Sequence, residues 1–114
     1  MITWKVVYTG QAEQDLRQIY EYITFSLLEP GVGKNLSRRI MAAVAGLNQM
    51  PLRHRLYEKE PWHSKGLRIL PIDNYLVFYL PVETHQTVVV IRIMYGGRNI
   101  EAQLRLSDRE HYAD

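Results

Sequence analysis

The hydrophobic positions of this chain change their spacing twice, and the changes divide it into a strand, two helices and three further strands. Residues 2–8 alternate between apolar and polar, which predicts a strand with one apolar side. From residue 12 to residue 47 the apolar positions recur every three or four residues, which predicts two amphipathic helices. The two apolar stripes are Ala12, Leu16, Ile19, Ile23 and Leu27, and then Leu36, Ile40, Ala43, Val44 and Leu47. Pro30-Gly31 interrupts the pattern, so we expect an antiparallel helix hairpin that ends before Pro51.

The spacing returns to two after residue 66 and predicts strands at 67–72, 75–80 and 87–95. Asp73-Asn74 suits a two-residue turn, because both residues tolerate positive φ, and short turns make neighbouring strands antiparallel. A short terminal helix follows at Ile100 and Leu104. The order β-α-α-β-β-β(-α) predicts an α+β fold, with the helix hairpin packed on one face of a small antiparallel sheet. We expect a single domain over residues 1–106 and a polar tail over 107–114.

Two of the predicted strands are apolar on both sides. Residues 75–80 and 88–94 carry apolar side chains at consecutive positions rather than at alternate ones. A sheet that is backed by helices on one side only should have a polar second face. Either the C-terminal helix or a partner chain therefore covers that face, and the sequence leaves both alternatives open.

Composition excludes several classes of site. The chain has no cysteine, so it has neither a disulfide framework nor a thiolate metal site, and its four histidines lack metal-ligand spacing. We therefore expect no metal and no cofactor. The N-terminus does not resemble a signal peptide and no apolar run is long enough to span a membrane, so we expect a cytoplasmic protein.

Positive charge is concentrated in one third of the chain. Residues 34–68 contain eight Lys or Arg against Glu58 and Glu60, although the net charge of the whole chain is only +2. Such a segment could bind a polyanion or an acidic partner protein. It is equally well explained as a solvated helix face followed by a charged loop.

Four stretches of the sequence carry a resemblance to a known family, and they lie at 5–23, 47–51, 66–79 and 90–99. The third contains Arg68-Ile69-Leu70-Pro71 and then Tyr75-Leu76-Val77-Phe78-Tyr79, and the fourth contains Val90-Ile91-Arg92-Ile93 and then Gly96-Gly97-Arg98-Asn99. These are similar to the signatures R-x-L-P … Y-x-V-F-Y and V-I-R-V … G-x-R-D. The chain thus resembles toxins of the RelE/ParE superfamily, over about residues 4–104.

The resemblance implies a growth-inhibiting toxin of a type II toxin–antitoxin system. Such a toxin is neutralised by an antitoxin that is encoded beside it and wraps an extended or helical segment around it. Contact with operator DNA is then expected only through the antitoxin. ParE-type toxins inhibit DNA gyrase by binding it, whereas RelE-type toxins cleave mRNA on the ribosome.

The residues needed for RelE-type cleavage are mostly missing. The two lysines that those enzymes carry correspond to Leu67 and Ile69 here, their strand arginine to Leu76, and their terminal-helix tyrosine to Leu104, while Arg98 is retained. A second nuclease branch, which resembles YoeB, ends its last strand in Arg-x-His-Tyr. This chain has Arg92-Ile93-Met94-Tyr95 instead, so the tyrosine remains and the histidine does not. The comparison favours a ParE-like toxin that acts on gyrase.

Two sets of candidate residues follow. A nuclease would use Arg68, Arg92, Tyr95 and Arg98 around the scissile phosphate, with Glu60 or His63 as the base and His54 or Glu58 as further acid–base groups. A binding toxin would meet its target or antitoxin through Arg68, Tyr75, Tyr79, Arg92, Arg98 and Trp62. A weaker alternative is an inactive homologue that survives as a binding partner or co-repressor.

Most of these residues also have a structural explanation. Tyr75 and Tyr79 are typical packing residues of a sheet, and Arg68 could form an ion pair with Asp73 or Glu101. Arg92 is flanked by apolar neighbours on its strand, so it is either paired or faces a groove, and the sequence slightly favours the groove. Trp62 would either anchor its loop or stack on a base.

Overall fold

The computed structural model of the protein describes residues 2–97 and 99–111, the last five of them as backbone only. Its strands are β1 (Lys5–Tyr8), β2 (Arg68–Ile72), β3 (Tyr75–Val82) and β4 (Thr87–Tyr95). Its α-helices are α1 (Gly10–Glu21), α2 (Pro30–Ala45), α3 (Trp62–Lys65) and α4 (Ile100–His111). The helix α4 therefore runs into the stretch that we expected to be a polar tail.

The four strands form one sheet in the order β1-β4-β3-β2. The pairs β2–β3 and β3–β4 are antiparallel, as the short turns predict, and Asp73 has the positive φ of 54° that its turn requires. The strand β1 differs from the prediction, because it lies parallel to β4 and makes the sheet mixed. Short turns determine the direction of neighbours only, and β1 reaches the sheet through the long helical connection. The α+β class and the order of elements are confirmed.

The first helix begins at Gly10, directly after its capping residue Thr9. The Thr9 hydroxyl caps α1 by accepting a hydrogen bond from the Ala12 N–H at 3.1 Å, and it donates one to the Ile91 carbonyl at 3.0 Å. The helix then widens into one π-helical turn, Tyr22–Ser26, and ends. Leu27, which the periodicity placed on the buried stripe, is exposed as a result.

The sheet has an apolar core on each face. The helix hairpin covers one face, and the buried residues there include Ala12, Ile40, Val44, Leu47, Val77 and Val90. The loop 51–67 and α4 cover the other face, where Tyr57, Trp62, Phe78, Ile91, Met94 and Leu104 form a second cluster. The chain itself therefore covers the second apolar face, which decides between the two alternatives left open by the sequence. No helix within the described residues is long and apolar enough to cross a membrane.

Candidate functional site

Arg92 lies in a buried ion pair and does not face a groove. Its guanidinium donates to both carboxylate oxygens of Asp15, from Nε at 2.7 Å and from Nη2 at 2.9 Å, and both side chains are about 5% exposed. The Asp15 carboxylate also accepts the Ile93 N–H at 2.9 Å, while Arg92 Nη1 donates to the Gln103 carbonyl at 3.2 Å. The pair joins α1, β4 and α4, so the role that this geometry gives Arg92 is structural.

Tyr75 and Tyr95 lie near the turn that connects the two helices of the hairpin, far from the N-terminal end of α1. The two residues are register partners on β3 and β4, and their rings meet edge to face with centroids 5.6 Å apart. They line a groove of about 680 Å³ together with Ile19, Tyr22, Leu27, Val32 and other residues of the hairpin. Burial raises the pKa of Tyr75, with smaller contributions from Tyr95 and Tyr22, so its phenol stays protonated at neutral pH. The groove is a mostly apolar surface with hydroxyl groups at its rim.

Arg68 and Tyr79 hold the loop that follows α2. Arg68 Nη1 donates to the carbonyls of Leu52 and His54, at 3.2 and 2.6 Å, so its partners are neither Asp73 nor Glu101. The Tyr79 hydroxyl donates to the Pro51 carbonyl at 2.6 Å, and the side chain is fully buried. Burial raises the pKa of Tyr79 to about 12. These hydrogen bonds of both residues therefore go to the loop, while Arg68 Nε is buried without a hydrogen-bond partner among the described residues.

His54 lies in the same loop, with its ring edge-on to Tyr79 at a centroid distance of 6.3 Å. Its Nε2 is buried and has no hydrogen-bond partner. Burial lowers the pKa of His54, and the positive charges of Arg53 and Arg68 lower it further. The imidazole is therefore neutral at physiological pH and shielded from solvent at one nitrogen.

The remaining loop candidates lie around α3. Trp62 is buried against Tyr57, with ring centroids 5.9 Å apart, which is the anchoring role rather than the stacking one. Glu60 accepts hydrogen bonds from the backbone N–H and the hydroxyl of Ser64, at 2.9 and 2.7 Å, and these bonds lower its pKa. His63 Nδ1 is 3.8 Å from the same carboxylate. A carboxylate with a lowered pKa is a weaker general base.

Much of the basic segment is occupied by internal contacts. Arg39 pairs with Asp73, and Lys59 pairs with Glu101 at 2.9 Å. Arg53, like Arg68, donates to backbone carbonyls of its own loop. At least half of the eight cations therefore make contacts within the fold, and the two ion pairs offset part of the positive charge of the segment.

The nuclease candidates do not converge on one point. Arg68 is paired with Tyr79 in the β2–β3 register, whereas Tyr95 is paired with Tyr75, four residues away along β3. That offset is about 13 Å along the sheet at ~3.3 Å per residue. Arg92 is sequestered by Asp15, and Arg98 lies outside the described residues. Among the side chains that the structure describes, which are those of residues 2–97 and 99–106, there is also no group of three suited to a metal ion.

A second groove, of about 630 Å³, lies between the helix hairpin and β1. Its walls are mostly apolar, and Val6, Leu16, Met41 and Val44 are among the residues that line it, with Glu13 and Arg17 at the rim. The strand β1 forms one edge of the sheet. A groove beside an edge strand suits an added peptide segment, which can bind through backbone hydrogen bonds and apolar side chains together.

Two features of the structure were not found from the sequence. The ion pair of Asp15 was missed, because its partner Arg92 is 77 residues away along the chain. The exposed Phe25 and Leu28 were not singled out, although they are apolar and neither lies on the apolar stripe. Apolar residues off the stripe were the available signal.

A family model for the ParE toxin of the type II toxin–antitoxin system parDE matches residues 6–100. The chain belongs to this ParE toxin family. It is accordingly the toxin component of a type II toxin–antitoxin system. No curated protein sequence matches the chain.

Solved structures show the same fold for this ParE-family chain. The chromosomal ParDE system of P. aeruginosa superposes with a TM-score of 0.67 at 19% identity, covering 83% of this chain and 98% of that one. A free mutant of the E. coli toxin RelE gives 0.64 at 9% identity, covering 96% and 98%. The RelBE2 toxin–antitoxin complex of Mycobacterium tuberculosis gives 0.58 at 23% identity, covering 83% and 93%. At these identities the likeness concerns the fold.

Proposed function

We propose that this chain inhibits DNA gyrase by binding it, and that a cognate antitoxin neutralises it. The observation that carries the proposal is the position of Arg92. A cation that stabilises a phosphorane-like transition state must reach the substrate, and Arg92 instead neutralises Asp15 in the interior. Since Arg68 and Tyr95 also lie about 13 Å apart along the sheet, toxicity by binding is the better explanation.

The grooves support the antitoxin part of the proposal. The groove beside β1 combines a sheet edge with an apolar floor, as a segment that folds on binding requires. An antitoxin segment would add to β1 and bury apolar side chains against Leu16 and Met41. Contact with operator DNA is proposed only through the antitoxin.

The proposal is tested by expressing the chain alone in bacteria, and then together with the neighbouring reading frame. We expect growth arrest in the first case and its relief in the second. Purified toxin should then inhibit supercoiling by purified DNA gyrase, and message ends mapped by primer extension should stay unchanged.

The nuclease alternative makes the opposite prediction. Codon-phased cuts that disappear in Tyr95→Phe would establish ribosome-dependent cleavage and contradict the gyrase proposal. Absence of growth arrest would contradict both activities and favour the inactive homologue. If the wild-type chain arrests growth but does not inhibit purified gyrase, only the proposed target is contradicted, and the toxin activity stands.

A further inference from the structure

The tip of the helix hairpin, residues 22–32, exposes large apolar side chains without any structural need. Phe25 is 66% exposed and Leu28 is 78% exposed, and the others that are more than half exposed are Tyr22, Leu27 and Val32. Together they present roughly 450–750 Å² of mostly apolar surface, if a fully exposed large side chain contributes ~150–250 Å². That area is at the upper limit of ~300–600 Å² for the largest apolar patch of a monomeric protein.

Leu28 is in a backbone conformation that its side chain disfavours. Its φ is 56°, in the left-handed region. The helix end closes around it through hydrogen bonds from the Leu27 N–H to the Tyr22 carbonyl and from the Glu29 N–H to the Ile23 carbonyl, both 3.0 Å long. Glycine is the usual residue at this position of a helix end, because it has no Cβ. A leucine that is both strained and exposed gains little from burial, and strain of this kind is concentrated at functional sites.

The π-helical turn Tyr22–Ser26 is the second irregular feature of the tip. Single π turns inside helices are found mostly at functional sites. Here the turn carries Phe25, while its first residue, Tyr22, lines the groove with Tyr75 and Tyr95. The tip therefore combines projecting side chains with an adjacent apolar groove.

Charge at the tip selects the kind of partner. The tip contains Glu29 and no Lys or Arg, and Glu21 directly precedes it, in a chain whose net charge is +2. A nucleic acid would be repelled, because phosphate binding requires cations. A second copy meeting tip to tip would bring the same glutamates together, which costs free energy. A protein surface that has Lys or Arg around an apolar pocket would complement both the apolar side chains and the negative charge of the tip.

We propose that the hairpin tip is the surface by which this toxin binds its folded target protein, with Phe25 and Leu28 as the anchors. Projecting side chains need a pocket that encloses them, and a folded surface supplies one whereas a single antitoxin strand or helix does not. The patch and the tyrosine groove make up most of the ~800 Å² that one side of a standard interface buries. The inference rests on the proposed function, since it names the surface used for that target.

The test uses Leu28→Gly in the full chain. Glycine relieves the left-handed conformation, so the melting temperature should stay the same or rise while the anchor is lost. Met50→Gly is the matched control, because Met50 is also left-handed, with φ of 50°, and is 70% exposed, but lies outside the tip. Phe25→Ser is a second tip variant that does not alter a left-handed position.

We expect both tip variants to need at least ten times more toxin for growth arrest and for inhibition of purified DNA gyrase. Met50→Gly should match the wild type, and all three should bind the purified antitoxin with Kd within threefold of the wild type. Full toxicity of both tip variants would overturn the inference. A comparable loss of antitoxin binding would identify the antitoxin as the occupant, and a wild-type dimer that the tip variants dissociate would identify a second copy.

The assays separate this inference from the proposed function. If the wild type arrests growth but leaves gyrase active, the gyrase target is wrong, and the growth phenotype of the tip variants still decides the inference. If the wild type arrests no growth, both the proposed function and the inference are contradicted.

Discussion

The buried pair of Asp15 and Arg92 gives the sharpest prediction about stability. Asp15→Ala removes the acceptor of two guanidinium bonds and of the Ile93 N–H. Arg92 keeps its contact with the Gln103 carbonyl at 3.2 Å, but the residue is only 4% exposed and loses the Asp15 carboxylate that pairs with it. The substitution therefore removes the carboxylate partner of a buried cation and the acceptor of a buried backbone N–H.

Breaking a buried ion pair from one side costs about 3–5 kcal/mol. A domain of this length has a free energy of unfolding of roughly 6–17 kcal/mol. The variant should therefore lose between a fifth and most of its stability. At about 4 °C per kcal/mol, the melting temperature should fall by roughly 12–20 °C.

Urea unfolding followed by circular dichroism measures the effect, and its midpoint should fall by about 2–3 M at a slope of ~1.5 kcal/mol/M. Arg39→Ala is the control, because it breaks the exposed pair with Asp73 and should cost less than ~1 kcal/mol. The double variant Asp15→Leu with Arg92→Met should recover most of the loss, since it removes both charges. A cost below ~1 kcal/mol for Asp15→Ala would refute the reasoning, as it would mean that water reaches Arg92.

Three further substitutions test other contacts. A Cβ on Gly33 would lie 2.5 Å from Thr24 Oγ1, so Gly33→Ala should overpack the hairpin and cost about 1–3 kcal/mol by urea unfolding, whereas an unchanged midpoint would show that the helices separate easily. Thr9→Ala removes the cap of α1 and should cost about 1–2 kcal/mol in the same assay, and a neutral result would mean that water replaces the hydroxyl. The pKa of His54 is lowered in the folded state, so the stability it contributes is present above pH ~6.5 and is lost as the pH falls through the folded pKa. His54→Gln should therefore flatten the decline in the unfolding midpoint between pH ~6.5 and 5, relative to wild type and to the control His85→Gln, and an unchanged slope would contradict the burial of its ring nitrogen.

The order of elements follows from local sequence. A spacing of 3.6 or 2 residues between apolar positions indicates which side of a helix or strand is buried. Short polar turns place consecutive strands next to each other. These signals predicted the hairpin, the β2–β3–β4 meander and the α+β class. The same locality explains the error at β1, whose parallel partner β4 begins 79 residues after the end of β1.

The roles of single side chains were decided by contacts distant in sequence. Arg92 has the same neighbours along its strand whether it faces a groove or an ion pair, and Asp15 settles the question from 77 residues away. The apolar second face of the sheet predicted that some segment packs on it, but the sequence did not identify the segment. Any apolar segment of this chain or of a partner is compatible with the same strand pattern. Trp62 and Leu104 cover this face from the loop and from α4.

The candidate site divides in the same way. The sequence by itself predicted the family, through four motifs at the family's spacing, and it predicts that most of the RelE-type catalytic residues are missing. Only the tertiary structure decided which candidates remain accessible, because burial depends on what packs from elsewhere in the chain. Arg92 and Tyr79 lie in the interior of the structure, whereas Phe25 and Leu28 lie at the surface. The first helix widens into a π-helical turn and ends there, so these two side chains do not pack on the core.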